Sequence, residues 1–172
     1  GLTVTLHSSW RGLIVNSIGA MWVLAGGVLA VNRGGWNLIS TVVFLIGVAL
    51  VAVMLFDYPA ASAFSERGVT RRMMLRRQRI DWAAMSQLSR TRPGLTAGWR
   101  KVQHGGLVAV VGRRRYLLVD RCESLDEFDR LESVVGGRAR ELLDEVPRPS
   151  EAADPTWLYR SAKWAPERRG DR

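Results

Sequence analysis

The chain has little of what enzymes are built from. It carries two histidines, His7 and His104, and one cysteine, Cys122. A single thiol excludes an intrachain disulfide framework. No His/Cys spacing suits a metal, and no Gly-x-Ser-x-Gly elbow is present. Neither Gly105-Gly106 nor Gly136-Gly137 leads into the Gly-Lys-Ser/Thr of a phosphate loop. Lysine is almost missing, with only Lys101 and Lys163 among 25 basic residues. These absences predict a non-catalytic protein with no metal, no cofactor and no small-molecule substrate.

Charge is missing over two long stretches, Gly12–Val31 and Trp36–Phe56. As helices, runs of this length measure about 30 Å each, which matches the hydrocarbon thickness of a bilayer. Between them lies the polar break Asn32-Arg33-Gly34-Gly35. A buried helix of a soluble core rarely runs so far without a charge, and here two follow in succession. The pattern predicts a transmembrane α-helical hairpin. A secretory signal ending near Val28-Leu29-Ala30 is the competing reading, but the run is long for one and a second span follows at once.

Acidic residues are also absent from the N-terminal third, since all sixteen lie at or beyond Asp57. From there on, 23 basic residues face those 16 acidic ones, a surplus of seven positive charges. A basic segment beside a membrane favours anionic lipid over nucleic acid, and no exposed aromatics interleave the arginines at stacking spacing. Arg11 precedes the first span and Arg67, Arg71, Arg72, Arg76 and Arg77 follow the second, with only Arg33 between. The positive-inside rule then puts the protein in the cell membrane with both termini cytoplasmic.

The first span is rich in small residues. Asn16, Gly19, Gly26 and Ala30 form the candidate helix-docking set, because small side chains let a second helix approach and an asparagine in hydrocarbon needs a partner. Packing within the hairpin explains them as well as docking onto a larger membrane protein does. Trp10 and Trp36 stand where aromatic belts form.

Beyond Pro59 the period shortens. Short strands are predicted over 62–66 and 69–75, at Arg79–Trp82, over 85–91 and over 96–103. The clearest pair is Leu107–Val111 and Arg115–Val119, around Gly112-Arg113-Arg114. Ser124-Leu125-Asp126-Glu127 is a capping box that opens a helix, with Leu125, Phe128, Leu131, Val134 and Val135 as its apolar stripe. A second short helix with Leu142, Leu143 and Val146 is predicted over 138–146, stopped by Pro147 and Pro149. The expected segments are thus 1–11, a hairpin over 12–58 (spans 12–31 and 36–56), a soluble domain over 61–146 and a tail over 147–172.

Several short strands followed by an amphipathic helix, together with 64–72 (Phe-Ser-Glu-Arg-Gly-Val-Thr-Arg-Arg), Arg79-Ile80-Asp81-Trp82 and the 107–119 hairpin, resemble the pleckstrin-homology (PH)-like domains of two-span actinobacterial membrane proteins. The resemblance implies an α+β, PH-like domain: an antiparallel β-sheet capped by a C-terminal helix, with Trp82 in its core. Such a fold is mainly a scaffold for binding.

Three candidate sites follow. Arg71, Arg72, Arg76, Arg77 and Arg79 are the lipid-surface set, since each basic residue near an anionic leaflet contributes about 1 kcal/mol. Arg113–Arg115 is a second basic point. In the tail, Trp157, Tyr159 and Trp164 are large apolar groups in a polar segment and form the tail-docking set. The expected function is a non-catalytic accessory or scaffold subunit of a larger actinobacterial membrane complex, with membrane lipids as further partners. By analogy the host is a lipid-transport complex of the mammalian-cell-entry type or a respiratory supercomplex. The alternative is a membrane-anchored domain that senses anionic lipid head groups through the arginine cluster.

Overall fold

The computed structural model describes residues 1–91, 96–97, 100–101 and 105–149. The first element is a strand, β1 (Val4–His7), ahead of the hairpin. Helix α1 (Trp10–Gly34) and helix α2 (Leu38–Phe56) follow, both long and apolar enough to cross a membrane. Each begins on a side-chain cap. Ser9 Oγ accepts from Gly12 N–H, and Asn37 with Ser40 forms a reciprocal capping box, which satisfies orphan N–H groups at each start. Helix α1 overruns its charge-free stretch at both ends, with helical hydrogen bonding continuing through Arg11 and Arg33, whereas α2 begins two residues inside its own.

The seam between α1 and α2 repeats every seven residues, with Leu13, Ala20 and Gly27 on one helix and Ser40, Gly47 and Met54 on the other. It is closed by reciprocal glycines. A Cβ on Gly27 would stand 2.6 Å from Phe44 Cα, and one on Gly47 2.5 Å from Leu24 Cα. Only glycine lets the two backbones approach this closely.

Then come β2 (Ala61–Phe64), β3 (Gly68–Arg72), β4 (Arg77–Asp81), a single 3-10 turn at Trp82–Ala84, β5 (Gln87–Arg90), β6 (Thr96–Ala97), β7 (Arg100–Lys101), β8 (Leu107–Val111) and β9 (Arg114–Val119). They form two main antiparallel sheets, one in the order β1-β2-β3-β4 and one in the order β5-β8-β9, and β6 pairs with β7. Within the strand predicted over 96–103, the described residues form two short strands that pair antiparallel, Thr96 with Lys101 and Ala97 with Arg100. The other strands fall near their expected places.

β1 pairs with β2 in the register Val4↔Phe64 through His7↔Ala61. The helical hairpin thus stands where a turn between two adjacent strands would stand. The segment before the first span is an edge strand of the same sheet, with Leu6 fully buried in the core.

Helix α3 (Leu125–Val134) starts on the predicted capping box, with Ser124 and Glu127 bonded reciprocally. Helix α4 (Arg138–Asp144) follows. Phe128, Leu131, Val135, Ala139, Leu142, Leu143 and Val146 meet Phe64, Val69, Ile80, Trp82, Leu88, Leu107 and Leu118 in one core. Leu125 does not join them; at the first position of α3 it turns away and is 46% exposed. Val108 and Leu117, a cross-strand pair, lie on the opposite face of their sheet and pack on Ala20, Met54 and Tyr58 of the hairpin. The β5-β8-β9 sheet is therefore covered on both sides, by α3 and α4 on one and by the root of the hairpin on the other.

Candidate functional site

The root of the hairpin is fastened to the end of β9 by two polar clasps. Asp120, fully buried, accepts from the Ser9 N–H through Oδ1 at 2.6 Å and from the Tyr58 hydroxyl through Oδ2. Ser9 caps α1, so the carboxylate sits at the positive end of that helix. Gly12 makes room for it: a Cβ there would lie 2.6 Å from Asp120 Oδ2. Tyr58, just past α2, is itself fully buried. One carboxylate thus ties the start of α1 and the exit of α2 to the β-sheet domain.

The second clasp is Arg71. The sequence puts it in the lipid-surface set; the structure buries it completely. Its position in β3 alternates inward. Nε donates to Leu117 O at 2.8 Å, Nη1 to Gln78 Oε1 at 2.6 Å and Nη2 to Asp57 O at 2.8 Å. The guanidinium also lies over Tyr116, 5.3 Å from the ring centroid. It therefore serves the carbonyl end of α2, where a cation suits the dipole, and cannot reach a lipid surface. Arg79 stays exposed but pairs with Asp81 at 3.0 Å.

Arg72, Arg76 and Arg77 remain of that set, and all are exposed. They flank the β3–β4 turn, which is closed by Met73 N–H donating to Arg76 O at 2.8 Å. Met73 is buried, whereas Met74 is 45% and Leu75 65% exposed. The turn leans on the hairpin, because Leu75 N–H donates to Leu55 O in the last turn of α2 at 3.0 Å. Residues 72–77 enclose an open concavity of about 420 Å³.

The helix-docking set divides. Asn16 donates from Nδ2 to Gly12 O at 2.7 Å, so its own helix supplies a partner. Ala30 is half-buried. Gly19 and Gly26 point out of the hairpin, with nothing within 4 Å of where a Cβ would be. Around them Val15, Ile18, Trp22 and Leu29 are exposed. The tail-docking residues Trp157, Tyr159 and Trp164 lie outside the described residues, as does His104.

Sequence reasoning missed a third polar knot. Arg90 and Glu123 form a fully buried ion pair. Arg90 also donates to Pro147 O at 2.7 Å and Gly105 O at 2.8 Å, joining β5 to the loops around α3 and α4. Beside it Arg121 holds Glu127 in a two-pronged bond at 2.9 and 2.8 Å and donates to His7 O. Burial pushes the Cys122 thiol above its ordinary value, the opposite of what a nucleophilic thiol needs. Among the described residues no cluster of His, Cys, Asp and Glu is placed to hold a metal. Polar partners more than a hundred positions apart, such as Ser9 and Asp120, leave no spacing signal; the one visible hint is an aspartate that ends an apolar strand.

The chain matches no known protein family, no curated protein and no solved structure.

Proposed function

We propose that this protein is a non-catalytic, membrane-anchored docking subunit of a larger membrane assembly. In this reading the hairpin crosses the bilayer twice, and β1 and the domain that follows α2 share the cytoplasmic side. The observation that carries it is the division of small residues on α1. Gly27 and Ala20 are consumed by the seam with α2, while Gly19 and Gly26 open outward. Bare glycines on a lipid-facing surface gain nothing from lipid tails, but they suit the close approach of another helix. The soluble part is read as PH-like on the strength of its four- and three-stranded antiparallel sheets with a helix after the last strand. The hairpin inserted after β1 and the second helix α4 are its own additions. Hosts of the kind the resemblance suggests, an actinobacterial lipid-import complex or a respiratory supercomplex, belong to this proposal.

The test is purification of the tagged full-length chain from its native membrane in mild detergent. A stoichiometric membrane complex is expected, and Gly19→Leu with Gly26→Leu should strip it away. Recovery of the chain alone, or an unchanged complex in the variant, contradicts the reading.

A second reading, attraction to anionic lipid, is favoured by one observation: the exposed arginines Arg72, Arg76 and Arg77 flank a turn that is hydrogen-bonded to the last turn of α2.

A further inference from the structure

The β3–β4 turn combines three features. Two large apolar side chains, Met74 and Leu75, project at its tip. Three arginines, Arg72, Arg76 and Arg77, flank them with exposed side chains. The backbone of the tip is pinned to the last turn of α2 by the Leu75–Leu55 hydrogen bond. A soluble domain has no reason to expose Met74 and Leu75 side by side on a tight turn. A turn held beside the cytoplasmic end of a membrane helix has one: the level of Leu55 and Phe56 is where hydrocarbon gives way to head groups.

The geometry points to a lipid-binding tip: Met74 and Leu75 enter the boundary between acyl chains and head groups, and Arg72, Arg76 and Arg77 hold the phosphate of an anionic phospholipid in the concavity between them. This rests on the bilayer placement of the hairpin and deepens the lipid reading. It is independent of the docking face on α1. Interfacial elements of this kind bury their apolar side chains about 5–10 Å into the boundary. Arginine suits the phosphate because its planar fork can engage two oxygens at once. Arg71 is not part of the site, because its donors are committed inside the domain. The anchor is also rigid. The same strand that carries Arg72 carries Arg71, which is bonded to Asp57 at the α2 terminus, so the tip keeps a fixed depth relative to the helix.

The test uses the full-length chain in a Cys122→Ser background, reconstituted in bilayer nanodiscs and labelled with an environment-sensitive fluorophore at one introduced cysteine. The positions are Met74→Cys at the tip, Val48→Cys on the exposed side of α2 and Arg140→Cys on α4, which lies across the sheet from the hairpin. Brominated acyl chains should quench the probes at 48 and 74 and leave the probe at 140 unaffected. Quenching at 48 but not at 74 overturns the lipid-binding tip and leaves the hairpin reading intact. No quenching at 48 overturns both.

The head-group part is read with the probe at 74 as phosphatidylglycerol replaces phosphatidylcholine. Quenching should rise with the anionic fraction. Arg76→Gln with Arg77→Gln should shift the half-effect to a clearly higher anionic fraction, since each basic residue near an anionic leaflet adds to the attraction. Millimolar inorganic phosphate should leave the response unchanged. Equal response to both lipids overturns the head-group site, and loss of the response in phosphate assigns the concavity to a free anion instead.

Discussion

At the scale of single residues, the polar side chains that matter most are the buried ones. Arg90 and Glu123 have no exposed side-chain surface, and Arg90 also serves two loop carbonyls. Removing one member strands the other charge, which costs about 3–5 kcal/mol. Arg90→Met is therefore expected to lower the unfolding free energy of the detergent-solubilised chain by that amount in a denaturant titration. Adding Glu123→Leu should return only part of it, because the carbonyls of Gly105 and Pro147 still lose their donor. Glu127 supplies a pH dependence. The side-chain hydrogen bond from Arg121 pulls its carboxyl from 4.5 down to about 2. A carboxyl more acidic in the folded chain stabilises it fully above the unfolded value and loses that contribution as the pH falls through the folded one. The chain should therefore lose stability on acidification from pH 4.5 towards pH 2, and Glu127→Gln should flatten that slope in thermal unfolding.

At the scale of elements, the two glycine stripes of α1 make opposite predictions. Gly27→Leu drives a side chain into the Phe44 backbone. Overpacking of this kind costs about 1–3 kcal/mol, and the hairpin should splay, which a cysteine crosslink across the seam would report as a lost bond. Gly26→Leu meets open space and should leave that crosslink intact while weakening any partner held on the outer face. Which glycine faced which way was not legible in the sequence, because 26 and 27 are adjacent and both fit a helical stripe. The elements themselves were more readable. The two apolar runs, the 107–119 hairpin and the Ser124 capping box each carry a local signal, and each is where that signal puts it. The burial of Arg71 escapes a sequence reading for the complementary reason. Within a run of arginines nothing local marks the one whose strand position turns inward, since its partners Asp57 and Leu117 come from other elements. Leu125 fits the apolar stripe of α3 by spacing, but as the first helical residue it has no turn before it to lie against.

At the scale of the whole molecule, the hairpin is an insertion between two neighbouring strands rather than an appendage. Its root is clasped at both ends, by Asp120 at the start of α1 and by Arg71 at the end of α2. Leu6 is fully buried beneath it, so the strand that precedes the hairpin completes the core of the domain that follows it. Leu6→Ala should destabilise the β-sheet domain by about 2–5 kcal/mol, read by hydrogen exchange as lost protection in β2 and β3 although position 6 lies on the far side of α1 and α2 in sequence. A domain cut at residue 61, as composition suggests, would leave β2 as a bare edge. In the proposed bilayer placement, the pairing of β1 with β2 in one sheet requires the chain to return to the side from which it left, with Arg33 on the other.

The most direct measurement is therefore thiol accessibility in intact cells that carry the full chain with Cys122→Ser. A membrane-impermeant maleimide should label Arg33→Cys from outside, and should label Arg140→Cys only after the membrane is opened. Equal labelling of the two positions in intact cells, or protection of Arg33→Cys until permeabilisation, would contradict a hairpin that crosses the bilayer twice and holds its domain inside.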